Sequence, residues 1–258
     1  MKTGVMICGH GSRDPEAVAE FARAASGLKA RLPEHDVEYG YLEFARPTIR
    51  KGFAALAARG AERILVLPVM LLAARHMKHD LPSKIDGFAA DFPPIDMRFG
   101  RALSIEPKLV KAAAARIEEA ERHSTQRVPR SETLLLVIGR GTNDVEANAD
   151  VGALARLLRE AMDFGGAETG YSGTASPLTE PALRHAATLG FKRIVVFPYF
   201  LFNGVLMKRI AAACNRVAAD HPGIEILKAS CLGDHPLVLD CLLDRIAEMD
   251  DGGPATTM

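Results

Sequence analysis

Along residues 1–125, short apolar runs alternate with longer stretches in which apolar residues recur every three or four positions. The runs at 4–8 ("GVMIC"), 36–42 ("DVEYGYL"), 63–72 and 95–99 ("IDMRF") predict strands. The stretches at about 15–31, 48–59, 77–88 and 107–122 predict amphipathic helices. Regular strand–helix alternation needs a parallel sheet with helices on both faces, because a parallel crossover is long enough to hold a helix. The expectation is an α/β protein built from small, four-stranded, doubly wound domains.

The same pattern returns in the second half of the chain. "VMICGHGSRDPEA" at 5–17 lies over "LLVIGRGTNDVEA" at 135–147, and the offset, 130 from Gly9 to Gly139, persists downstream. Tyr41, Ala45 and Pro47 recur as Tyr171, Ala175 and Pro177, and Gly60, Arg63, Ile64, Val66 and Pro68 as Gly190, Arg193, Ile194, Val196 and Pro198. After a one-residue slip, "IEPKLVKAAAARI" at 105–117 matches "DHPLVLDCLLDRI" at 234–246. The chain thus reads as two tandem copies of one domain, 1–125 and 126–250, with a cleft between them. The polar, proline-containing stretch 122–132 would be the linker, and a tail at 251–258 is expected to be disordered.

Composition narrows the function. The chain has 258 residues, 48% of them hydrophobic, and Lys plus Arg equals Asp plus Glu at 32 each. That balance supplies no broad basic field for nucleic acid or an anionic membrane, so any anionic ligand must be held by local charges. No stretch approaches the ~18 uninterrupted apolar residues of a membrane span, and the start of the chain lacks a signal-peptide core, which makes the cytoplasm the expected location. Cys8, Cys214, Cys231 and Cys241 form no C-x-x-C pair and read as buried or free reduced thiols.

Ligands of open α/β sheets lie beyond the carboxyl ends of the strands, where loops from several strands meet. His10 follows the first strand, Glu43 the second and His76 the third. The repeat acts as an internal control, since residues needed for folding should persist in both copies. At the offset of 130, His10 becomes Arg140, Glu43 becomes Gly173 and His76 becomes Leu206, while the neighbouring glycines and prolines stay. Arg13, Arg46 and Arg75 likewise become Asn143, Ser176 and Val205, whereas Lys78 recurs as Lys208 and reads as structural. This pattern fits one working site in the first copy and a retired one in the second.

Two imidazoles and a carboxylate suit divalent cobalt, nickel, iron or zinc, and three protein ligands leave positions open, as catalysis requires. Competing motifs are weaker. "GHGSRD" carries Asp14 where a dinucleotide fingerprint needs its third glycine, and neither G-x-x-x-x-G-K-[ST] nor G-x-S-x-G occurs. His79, replaced by Arg209 in the second copy, reads as a solvent-facing helix residue.

"CGHGSRDPEA", "YLEFARPTI" and "VLPVMLLAARHMKHDLP", in that order on a βα repeat, closely resemble the class II sirohydrochlorin chelatases. These enzymes insert cobalt or iron into a precursor of cobalamin or sirohaem. The resemblance implies a lyase-type, ATP-independent sirohydrochlorin cobaltochelatase, with ferrochelatase activity or nickel insertion as alternatives. It implies His10 and His76 as metal ligands, Glu43 as the acidic residue, and one of the three as proton acceptor. Sirohydrochlorin carries eight carboxylates in that family, which gives Arg13, Arg46 and Arg75 a role in gripping them. No tightly bound cofactor is implied, since the divalent metal is a substrate. The expected partners are sirohydrochlorin and that ion, in a monomer with internal pseudo-two-fold symmetry. A metal or tetrapyrrole carrier that releases its cargo elsewhere is the non-enzyme alternative.

Overall fold

The computed structural model describes residues 1–72, 83, 85, 87 and 94–251, and within them each predicted run is a strand. The first sheet comprises β1 (Thr3–Gly9), β2 (Asp36–Tyr41), β3 (Arg63–Pro68) and β4 (Asp96–Phe99), with helices α1 (Pro15–Ala30) and α2 (Ile49–Ala58) between them. After α3 (Pro107–Arg122), the second sheet follows: β5 (Thr133–Gly139), β6 (Gly166–Tyr171), β7 (Arg193–Pro198) and β8 (Glu225–Lys228). The remaining helices are α4 (Val145–Met162), α5 (Thr179–Ala186), α6 (Val205–Asp220) and α7 (Pro236–Asp250). The helix expected at 77–88 and the tail expected at 251–258 lie mostly outside the described residues.

Both sheets are parallel, in the orders β2-β1-β3-β4 and β6-β5-β7-β8. The central strands are covered on both faces, which is why "GVMIC" is apolar without alternation. Met6 and Cys8 face one core with Ile49, Phe53 and Leu56 of α2. Val5 and Ile7, equally buried, point to the opposite face, the side for the buried stripe Phe21, Ala24, Ala25 and Leu28 of α1. In this strand order β1 leads outward to β2 on one side, and the chain then crosses back to β3 on the other. The connections diverge between β1 and β3, and a crevice opens there beyond the carboxyl ends of the strands.

The chain divides into two compact units that cut across the sequence repeat: Met1–Ser104 with Pro236–Met258, and Ile105–His235. The division at 125 read from the repeat and the division by packing therefore differ by one helix in each direction. Helix α3 packs with α4, β7 and β8, whereas α7 packs on β3 and α1. Two equivalent arginines mark the trade. Arg245, 2% exposed, donates from Nη2 to the Leu103 carbonyl at 3.0 Å and from Nε to the Ala102 carbonyl at 3.3 Å. Arg116, its counterpart in the repeat, donates from Nη2 to the Leu232 carbonyl at 3.1 Å. Each guanidinium also meets a glutamate three residues on, Glu248 at 2.6 Å and Glu119 at 3.1 Å. The helices are alike in their polar and apolar pattern, so either could cover either sheet, and the sequence pattern alone does not say which.

Two local readings change. The third strand stops at Pro68 instead of running to 72, because beyond it the carbonyls of Met70 and Leu71 accept from Leu103 and Ser104, at 2.9 and 2.6 Å. The stretch 122–132 is tied to its own unit: buried Arg193 donates to the carbonyls of Gln126 and Val128 at 2.7 and 3.1 Å and to the Ser124 hydroxyl at 3.1 Å. The four cysteines are buried thiols, none in a disulfide.

Candidate functional site

Three loops in the first unit leave the carboxyl ends of β1, β2 and β3. The first is "GHGSRDP". Gly9 lies so close to Phe21 that a Cβ there would stand 2.7 Å from the ring, and Gly11 has φ +93, where a Cβ would collide with the Glu43 carbonyl oxygen. The turn ends at Asp14, whose carboxylate accepts from the Glu16 amide at 3.0 Å and caps α1, with Pro15 at its first position. These features recur in the second unit: Gly141 has φ +76 and Asp144 caps α4. Ser12 also belongs to this frame, since its hydroxyl accepts from the Asp14 amide as Thr142 does from Asp144.

The second loop, after β2, is pinned to the first by backbone. The Leu42 amide donates to the Gly9 carbonyl at 2.8 Å, and the Glu43 amide to the His10 carbonyl at 3.1 Å. His10 and Glu43 are thereby brought side by side, with Nε2 and Oε1 3.5 Å apart. Both side chains are only partly exposed, at 25% and 37%. The separation is long for a strong hydrogen bond. It matches two ligands of one tetrahedral ion, whose donor atoms, each ~2.1 Å from the metal, stand about 3.4 Å apart; about 3.0 Å would suit octahedral geometry.

Arg13 and Arg46 line a cleft of about 400 Å³ beside this pair, with Ser12, Tyr39, Tyr41 and Phe44 among its walls and no acidic residue. Among the described residues neither guanidinium meets a carboxylate. Arg13 rests on the Phe44 ring, Cζ 4.8 Å from the centroid. The Tyr41 hydroxyl donates to the Val18 carbonyl at 2.8 Å, and burial pushes its pKa up to about 12. The cleft therefore offers donors and aromatic surface, the environment a carboxylate on a short apolar arm requires.

His76 and Arg75 lie outside the described residues, as do Lys78 and His79. Among the described residues no group of three His, Cys, Asp or Glu side chains could hold a metal. In the second copy the backbone leaves no room for a side chain at the position of Glu43. A Cβ at Gly173, the counterpart of Glu43, would stand 2.5 Å from the Arg140 carbonyl oxygen. Phe44, absent from the sequence-derived site, borders it; the comparison that isolated Glu43 could have found it, since its counterpart is Thr174.

The CbiX family model matches residues 4–120 and again 134–249, nearly the whole of both repeats. The chain belongs to the CbiX family. Among curated proteins it is 34% identical over 255 residues to the sirohydrochlorin cobaltochelatase of Priestia megaterium, covering 96% of this chain and 80% of that protein. It is 31% identical over 248 residues to the sirohydrochlorin ferrochelatase of Bacillus subtilis strain 168, covering 96% and 92%. Among solved structures, SirB from Bacillus subtilis with Fe3+ superposes with a TM-score of 0.84 at 31% identity, covering 96% of each chain. SirB of subspecies spizizenii in complex with cobalt gives 0.79 at 29%, covering 97% and 96%. The resemblance read from the three motifs and the paired four-stranded α/β fold are both borne out by these matches. No described helix of this CbiX member is long and apolar enough to cross a membrane.

Proposed function

We propose that this chain is a sirohydrochlorin cobaltochelatase, inserting Co2+ into the macrocycle without ATP. The observation that carries this reading is the 3.5 Å approach of His10 Nε2 to Glu43 Oε1 at the sheet's carboxyl edge, spaced as two ligands of one ion. The 34% identity to the cobaltochelatase relative, against 31% to the ferrochelatase, supports cobalt as the first reading. Fe2+ insertion is the second reading, supported by the ferrochelatase relative and by the SirB structure with Fe3+.

Insertion exchanges two pyrrole N–H protons for one divalent ion. His10 receives the metal, with His76 as the second imidazole by its place in the motif. Glu43, held against His10 by the backbone bond between their residues, accepts one pyrrole proton as the metal leaves for the ring nitrogens, and the imidazole that the metal vacates accepts the other. Arg13 and Arg46 take a peripheral carboxylate into the cleft, and Arg75 joins them by its place in the sequence.

The test mixes the purified protein with sirohydrochlorin and Co2+, Fe2+ or Ni2+ and follows metalation in the visible spectrum. Cobalt is expected to give the fastest turnover. Faster turnover with iron reverses the metal assignment, and binding without acceleration makes the protein a carrier. His10→Ala is expected to lower the insertion rate at least about a hundredfold, whereas Arg140→Ala leaves it unchanged; equal losses overturn the assignment of the site to the first copy. Arg46→Ala should raise KM for the tetrapyrrole about tenfold, the equivalent of one charge-assisted hydrogen bond, without changing KM for the metal.

A further inference from the structure

Among the described residues of the site, Phe44 is the non-glycine residue with a left-handed backbone. Its φ is +63, a region that bulky side chains avoid, and the Ala45 amide donates across it to the Glu43 carbonyl at 2.8 Å. The three residues form a γ-turn of the strained hand. The ring gains little burial in return, being 54% exposed. Backbone strain of this kind persists where the surrounding structure enforces it, and it gathers at functional sites.

The repeat again supplies a control. The second loop is framed alike, with the Tyr41 amide bonded to the Pro47 carbonyl and the Tyr171 amide to the Pro177 carbonyl, both at 2.9 Å. Yet Thr174, the counterpart of Phe44, has no positive φ. Building the loop therefore does not require the strained turn, which occurs only in the copy that carries His10, Glu43 and Arg13.

The Phe44 ring meets two of those residues. It lies nearly parallel to the His10 imidazole, at 20° with centroids 6.5 Å apart, and it receives the Arg13 guanidinium 4.8 Å from its centroid. Among the described residues no ion pair joins Arg13 to Glu43, whose carboxylate faces His10. From this geometry we infer that Phe44 is a positioning residue for metal capture: its ring fixes the plane of His10 and holds Arg13 on a π face, leaving Glu43 for the metal. The left-handed turn serves to set the ring and the carboxylate, on consecutive residues, against the same imidazole. The inference rests on the reading of His10 as a metal ligand.

The test titrates Co2+ alone into the full-length protein, follows the cobalt absorption bands, and records melting temperature in parallel. Phe44→Ala and Phe44→Leu are expected to weaken Co2+ binding about tenfold, the effect of losing a group that orients a ligand, with no loss of melting temperature. Phe44→Tyr, which keeps the ring, is expected to restore binding. Unchanged binding in Phe44→Leu overturns the inference while leaving the chelatase reading intact. So does weak binding in Phe44→Tyr accompanied by a lowered melting temperature. Co2+ binding in His10→Ala as tight as in the parent removes the metal reading of His10, and the positioning role with it.

Discussion

At the scale of single residues, the first loop separates what builds the turn from what uses it. Gly11 combines a left-handed backbone with close approach to the Glu43 carbonyl, so a side chain there would push away the loop that carries the carboxylate. Gly60 has a similar φ, +79, but nothing within 4 Å of a Cβ. Gly60→Ala should therefore cost only the backbone penalty, about 1 kcal/mol, and leave metal insertion intact. Gly11→Ala should cost at least ~2 kcal/mol and abolish insertion. Urea denaturation with the metalation assay checks both, and a Gly11→Ala protein of parental stability and activity would refute this account of the turn. His10 and Glu43 could be singled out in the sequence because the repeat lost them while keeping their neighbours. Phe44 differs between the copies in the same way, its counterpart being Thr174, but an aromatic residue carries no ionisable chemistry to flag it in the sequence, and only its φ and its ring partners show where it acts.

At the scale of elements, strand and helix positions were legible because burial on both faces of a parallel sheet makes strands continuously apolar and helices periodic. Their ends were less so: β3 stops at Pro68 through bonds made by residues more than thirty positions away. The partner of each terminal helix was not legible at all. Arg245 illustrates why, since in sequence it is one more charge on an amphipathic helix, yet it is buried against the carbonyls of Ala102 and Leu103. Arg245→Met keeps most of the side chain's bulk and removes those bonds, leaving buried carbonyls without their donor. It should lower stability by ~2–4 kcal/mol, read from the urea midpoint at constant m-value. A change below 0.5 kcal/mol, within the range of ordinary surface substitutions, would show that the guanidinium does not hold α7 in place.

At the scale of the whole molecule, the exchanged helices make each unit depend on both halves of the sequence. A chain ending at residue 125, the boundary suggested by the repeat, keeps the candidate site and α3 but lacks α7, which covers β3 and α1. It should be monomeric only in a loosely packed form with early amide exchange in β3, and it should not insert metal; a well-protected, active monomer would contradict the packing. A chain ending at residue 235 should keep the second unit's exchange protection while losing that of the first. The sequence by itself determined the α/β class, the duplication, the glycine turn with its capped helix, and which copy kept its ionisable side chains. These follow from local periodicity, local turn chemistry and comparison at a fixed offset, all of which are readable along the chain. Only the tertiary structure decided which sheet each terminal helix covers, that His10 and Glu43 stand 3.5 Å apart, and that Phe44 is strained against them. Those depend on contacts between residues distant in sequence, for which two repeats of matching polar and apolar pattern offer equivalent alternatives, and packing and buried hydrogen bonds select one of them.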